Sequence, residues 1–243
     1  MTQRLEWTGA CNLRDLGGLR LGDGTRTATG RLYRSGRVES METTGWRSAK
    51  RSGVRTIVDL RNADEIGRRV GDPEVDDAST ESIERLHRPI EDQSDEEFMA
   101  RYGELLSHPA YYPANFEYFP SLLAMAIEAI VNARQAVVFH CSAGKDRTGL
   151  IAATLLTLNG VILEDVLRDY ELGIRGYAAW QHEHPGRGHE RTLSSQELDN
   201  AVEDRVRTLG DWLSETNVAR LLVDGLGLDE ATVNRAGLLL RPT

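Results

Sequence analysis

The segment VVFHCSAGKDRTGLIAATLLT, residues 137–157, runs from β-branched and aromatic residues, through a short polar turn with one glycine, straight into an apolar run of helix formers. A strand ending at His140 and a helix starting at about Asp146 leave a tight loop between them. In such a turn the backbone amides and the positive end of the helix dipole converge on the loop centre, so the loop is predicted to be an anion cradle. Cys141 opens it and Arg147 follows six positions later, a spacing that lets the guanidinium curl back beside the sulfur and grip two oxygens of a tetrahedral oxyanion. Helix-terminal amides and nearby cations favour a thiolate over a thiol. A thiolate aimed at phosphorus implies covalent catalysis: a cysteinyl-phosphate forms and water then hydrolyses it, with no metal or other cofactor required.

The other loop residues each carry two readings. Thr148 can donate its hydroxyl to the sulfur and help it leave, or it can simply fill the first helical turn. His140 can orient the loop or be a satisfied core histidine. Lys145 adds a second cation at the mouth or is merely solvated. Gly144 and Gly149 let the backbone fold tightly and the helix pack closely.

Working outward, strand-like runs lie at 31–36, 54–61, 83–90 and 136–141, separated by stretches long enough for helices, which predicts βαβ units. Residues 40–53 read as a helix with Ser40 as N-cap and Gly53 as its stop, NADE (62–65) as a capping box opening a short helix, and 119–133 as an apolar helix. Beyond Gly160 the pattern is helical, with Leu198, Val202, Val206 and Leu209 on one face of a helix near 195–210. Residues 72–82 and 91–97 read as exposed acidic loops and 181–195 as a turn-rich connector. The expected fold class is α/β, a parallel sheet flanked by helices. A phosphate-binding core would span residues 1–175, and a helical cap or lid, residues 176–243, would pack on it.

Composition sets limits. The 243 residues are 40% hydrophobic, enough to bury a core, and 29 Lys and Arg against 38 Asp and Glu give a net charge of −9. No global positive field would recruit nucleic acid, so any anion must be held by local geometry. The longest apolar run, LIAATLLTL, is too short to cross a bilayer, and the amino terminus has no signal-peptide pattern. A cytoplasmic protein is expected, with leaderless export the alternative. Of the two cysteines, Cys141 is read as a free thiol and Cys11 as a small buried hydrophobe. His182, His184 and His189 cluster in sequence but at no standard zinc spacing, so no metal is expected. Tyr170, Tyr177 and Trp180 precede them and would line a substrate mouth or pack the cap.

The nucleotide-binding phosphate loop needs a glycine where Phe139 stands and Ser or Thr where Asp146 stands, so an ATP site is excluded. A rhodanese-like sulfurtransferase also carries a loop cysteine, but the Arg147–Thr148 pair and the helix entering at Asp146 favour phosphate. HCSAGKDRTG resembles the H-C-x5-R-[ST] signature of the cysteine-dependent protein tyrosine phosphatases. With NLRDLGG, GRLYRSG and VRTIVDLR it is similar, more narrowly, to bacterial tyrosine/serine phosphatases whose broader members also hydrolyse phosphoinositides; the likeness covers about residues 9–175.

That resemblance implies Cys141 as nucleophile and Arg147 as phosphate clamp, with Ser142, Ala143, Gly144 and Lys145 supplying cradle amides. It also implies a phosphorylated protein or peptide as substrate, or a phosphoinositide. The W-P-D loop that gives the best-known members their general acid is absent, and the resemblance points instead to Asp146, which could equally be a favourable helix N-terminal residue. Asp59, ending an apolar run, is a second candidate, as an anchor for Arg147 or for the NLRD segment or as a catalytic participant. Asn12, Arg14 and Asp15 are expected to pack that segment beside the site. A phosphate-recognition module without turnover is the remaining class.

Overall fold

A computed structural model describes residues 5–242. Five strands form one sheet: β1 (Arg14–Asp15), β2 (Leu32–Ser35), β3 (Thr56–Asp59), β4 (Glu84–His87) and β5 (Val137–His140), in spatial order β1-β2-β5-β3-β4. β2, β5, β3 and β4 are parallel, and only β1 runs antiparallel, against β2. The last strand in sequence thus inserts between the second and third. All four of its residues are buried, as a central parallel strand covered on both faces requires. Side chains alternate between two cores. Leu32, Val58, Val137 and Phe139 join the larger, while Tyr33, Ile57 and Val138 pack with Trp7, Trp46 and Val54 on the opposite face.

The helices are α1 (Thr43–Arg51), α2 (Glu96–Tyr102), α3 (Tyr112–Tyr118), α4 (Pro120–Asn132), α5 (Asp146–Leu158), α6 (Leu163–Glu183), α7 (Ser195–Glu215), α8 (Val218–Arg220) and α9 (Glu230–Ala236). Two of their boundaries depart from the sequence reading. Ser40 is not the cap of α1: it closes a separate 3-10 turn, its hydroxyl donating to the Arg37 carbonyl at 3.0 Å, and α1 begins only after Glu42. The acidic stretch 91–97 is not all loop, because Asp95 accepts a hydrogen bond from the Phe98 amide and starts α2. Gly53 stops α1 as expected, at φ +85°.

α6 runs unbroken through residue 175, where core and cap were expected to meet. Leu209 and Leu213 of α7 and Val233 of α9 share one apolar cluster with Phe139 and Ile151, so the cap and the sheet bury a common core. No helix among the described residues is long and apolar enough to cross a membrane.

Candidate active site

Ser35, His140 and Asp59 end three adjacent parallel strands in register, and the loop after His140 sits in the crevice outside those carboxyl ends. Its backbone is shaped by Gly144, whose φ is +68°; a Cβ there would stand 2.4 Å from the Gly36 nitrogen. The loop carbonyls are tied down from behind. Asn12 Nδ2 donates to the carbonyls of Ala143 (3.0 Å) and Gly144 (3.2 Å), Arg34 Nη2 donates to Gly144 (2.8 Å), and the Arg37 amide donates to Ser142 (3.0 Å). Among the described residues, the amides of Ser142, Ala143, Gly144 and Lys145 donate to no other group. Anchored carbonyls and uncommitted amides are what an oxyanion cradle requires.

The anchors are themselves held. Arg34 is fully buried and pairs with Asp169 of α6, which also accepts from Arg14 Nε at 3.2 Å. Burial alone would raise the Asp169 carboxyl, but the two guanidiniums outweigh it and hold it below the usual carboxylate range. Arg14 Nη1 donates to Asn12 Oδ1 at 2.8 Å, which fixes the Asn12 amide against the loop. Asp15 points elsewhere, accepting from the amides of Gly17 and Gly30 at 2.8 Å each, so of the three residues expected beside the site it is the one that is not there.

Cys141 and Arg147 face one cavity of about 210 Å³, with Asp146, Ser142, Glu65 and Glu91 in its wall. Arg147 is oriented by Glu65, not by Asp59. Glu65 takes the terminal fork, with Nη2 to Oε1 at 2.7 Å and Nη1 on Oε2, and the same carboxylate accepts from Ser142 Oγ at 2.8 Å and from the Asn62 amide at 3.0 Å. Burial would raise the Glu65 carboxyl, but the Arg147 hydrogen bonds and charge bring it down to about 2. Glu91, almost fully buried, lies 3.5 Å from Arg147 Nε.

Asp59 pairs instead with Arg61 (Oδ1–Nε 2.9 Å, Oδ2–Nη2 2.6 Å), and its Oδ2 lies 3.8 Å from His140 Nε2. It therefore anchors the strand ends rather than Arg147. His140 is buried, which lowers its pKa, and its Nδ1 donates to the Cys141 carbonyl at 3.2 Å. Thr148, expected to reach the sulfur, bonds the Ser35 carbonyl at 3.5 Å. Lys145 is not solvated at the mouth: its Nζ meets Glu190 Oε2 at 2.6 Å and Asp146 Oδ2 at 3.5 Å. Burial would lower the Lys145 pKa, but those carboxylates hold it above its ordinary value. Burial raises the Asp146 carboxyl, and its Oδ1 has no hydrogen-bond partner.

Glu65, Glu91, Arg34 and Glu190 are thus site residues that the sequence did not single out. Tyr177 and Trp180 pack with Cys11 and Ala143 against the back of the loop, and Tyr170 packs against Tyr112. Of the clustered histidines, His184 donates to the Trp180 carbonyl and His189 Nδ1 is hydrogen-bonded to the Tyr177 hydroxyl, each at 3.0 Å. Among the described residues no three His, Cys, Asp or Glu side chains gather as a metal site.

Comparison with known proteins meets this geometry. A family model described as the tyrosine phosphatase family matches residues 5–236. A Cupriavidus necator protein assigned to the tyrosine-protein phosphatases is 31% identical over 172 residues, 65% of this chain and 59% of that protein. The triple specificity protein phosphatase PtpB of Mycobacterium tuberculosis is 26% identical over 190 residues, 68% of this chain and 67% of its own. A tyrosine-protein phosphatase of Nostoc commune is 54% identical over a 37-residue stretch, 15% of this chain and 13% of its own. The match thus spans about three-fifths of the first relative's length.

Proposed function

The chain belongs to the tyrosine phosphatase family, and from that premise we propose that it hydrolyses phosphate monoesters, phosphotyrosine of proteins or peptides foremost, through a cysteinyl-phosphate intermediate. The observation that carries this reading is the shared cavity of Cys141 and Arg147, roofed by loop amides that have no other acceptor. The ester phosphate sits on those amides, with Arg147 beside it in the wall of the same cavity. The Cys141 thiolate attacks phosphorus, the P–O ester bond breaks, and Asp146 protonates the departing oxygen. A carboxyl whose pKa burial raises, with one oxygen unpartnered in the cavity wall, suits that donation. Asp146, now a carboxylate, takes a proton from water as water attacks phosphorus, the S–P bond breaks, and inorganic phosphate leaves.

Phosphoserine and phosphothreonine meet the same machinery. Phosphoinositides form the second reading, supported by the additional cation, Lys145, within the loop. Both cysteines are free thiols, which suits a reducing compartment, and we place the activity in the cytoplasm. Cys141→Ser tests the proposal. It should abolish phosphotyrosine-peptide hydrolysis while vanadate binding and thermal unfolding stay as in the wild type, and turnover retained without the thiol would refute it.

A further inference from the structure

The loop between β3 and β4 leaves the catalytic cavity at Glu65, which holds Arg147, and turns back at Asp72. Its base is fixed. Arg37, almost fully buried, grips the Asp72 carboxylate through Nη1 (2.7 Å) and Nη2 (2.6 Å) and donates to the Gly67 carbonyl at 3.1 Å. Asp72 Oδ2 also accepts from the Arg69 amide at 2.6 Å, and Arg187 of the connector between α6 and α7 donates to the Gly71 carbonyl. A turn held this firmly still points apolar side chains outward: Val70 is fully exposed and Ile66 is 44% exposed. A single exposed apolar residue needs no explanation, but here two are interleaved with cations on one fixed turn.

Three guanidiniums share this lip. Arg68 donates to the Asp72 carbonyl (3.0 Å), Arg187 to that of Gly71, and Arg69 uses its backbone amide alone; among the described residues none of the three pairs with a carboxylate. On a chain of net charge −9, a cluster of unpaired arginines is a local exception that suits an anionic partner. It adjoins the catalytic cavity, whose wall includes Glu65 and His189, and the Arg69 charge reaches His189.

We propose that residues 66–70, with Arg187, form a docking lip for the peptide chain that flanks the phosphotyrosine, and that the lip selects substrates carrying a carboxylate and an apolar side chain close to that tyrosine. This rests on the phosphotyrosine reading of Cys141 and adds which peptides the site takes. Glu65 joins cavity and lip with no residue between, so a chain whose phosphotyrosine enters the cavity passes over the lip. At ~3.3–3.6 Å per extended residue, the side chains within about three positions of the tyrosine are the ones read. A peptide fits better than an anionic bilayer, because a bilayer would also face the rest of a negatively charged surface. The fixed base means that little ordering opposes docking.

The test measures kcat/KM of the full chain on p-nitrophenyl phosphate and on two phosphotyrosine peptides, one flanked by Glu and Leu and the other by Lys and Ser. Wild-type protein should prefer the first peptide about tenfold, and added salt should shrink the preference. Arg68→Glu/Arg69→Glu should abolish or invert it while p-nitrophenyl phosphate turnover stays unchanged. Val70→Ser should weaken hydrolysis of the Leu-bearing peptide about threefold to fivefold and leave the Ser-bearing one alone. Equal rates on the two peptides in wild-type protein overturn the proposal. So does a parallel loss on p-nitrophenyl phosphate, which would mean that the turn acts on the cavity and not on the peptide. Cosedimentation with phosphatidylserine vesicles that the double variant loses, with the peptide preference unaltered, would assign the lip to a membrane and overturn it too. Calorimetric titration of the Cys141→Ser protein separates docking from turnover: tighter binding of the Glu- and Leu-flanked peptide, lost on adding Arg68→Glu/Arg69→Glu, supports the lip, and equal binding of both peptides refutes it. Failure of the phosphatase reading alone would appear as wild-type protein that turns over no monoester.

Discussion

Replacing Glu65 with Gln removes one charge and little volume, and two separate readouts follow. The Arg147 pair pulls the Glu65 carboxyl from an ordinary 4.5 to about 2. At about 1.4 kcal/mol for each pH unit this corresponds to about 3 kcal/mol, which partial solvent access trims to about 2 kcal/mol. Because the folded-state value is depressed, the stabilisation is fully present above the ordinary carboxylate range and is lost as pH falls toward 2. Urea unfolding near neutrality should therefore show Glu65→Gln less stable by about 2 kcal/mol. The gap should narrow steadily as the buffer is taken into acid, where the wild-type carboxylate is protonated too. Gln still accepts one hydrogen bond, but it cannot hold the guanidinium fork in place, and a misplaced clamp should lower kcat/KM on a phosphotyrosine peptide about 10²-fold. A stability gap that is constant with pH, or an unaltered kcat/KM, would show that Arg147 is positioned by something else.

Asp146→Asn should slow first-step burst rates on phosphotyrosine by about 10²–10⁴-fold yet spare a dinitrophenyl phosphate, whose leaving group needs no proton; uniform loss across both esters would remove Asp146 from the role of acid. The raised Asp146 value also predicts that wild-type kcat falls as pH rises through it, and this limb should vanish in the Asn variant. Arg147→Lys should be nearly as damaging as loss of the thiol in kcat/KM, because a point charge cannot replace a planar fork, and near-normal turnover would contradict the clamp. Gly144→Ala forces a side chain into a backbone at φ +68° with the Gly36 nitrogen in its path, so urea denaturation should show a loss of at least about 2 kcal/mol.

The loop after His140 was legible because its signals are local. Strand, glycine turn and helix follow one another within 21 residues, and the same residues carry the proposed chemistry. The central strands β3 and β5 were legible from their apolar runs, but the two-residue β1 is too short to carry a pattern. The carboxylates around Arg147 were not legible, for a physical reason. Glu65 does satisfy the Asn62 amide, as a capping box should, and that local duty gives no hint of its contact 82 residues away. Glu91 sits among acidic residues that read as solvated, yet burial makes it different from its neighbours. Asp59 was a sensible candidate at a strand end, but Arg61, two residues on, claims it first. Glu190 lies in a connector whose glycines and proline suggested freedom, and only the fold brings it to Lys145.

The contact between Arg34 and Asp169 bears on how the protein comes to life on the ribosome. Arg34 is made early, sits in the sheet with no solvent exposure, and holds the Gly144 carbonyl; its counter-charge arrives only with α6. Until that helix has emerged, closing the sheet would bury a guanidinium without its carboxylate, at a cost of several kcal/mol. Asn12 waits for the same helix, since it also donates to the Gly173 carbonyl at 2.8 Å. A nascent chain that already displays its cysteine and arginine should therefore lack a set cradle, and catalytic competence should switch on late in synthesis, when α6 clears the exit tunnel.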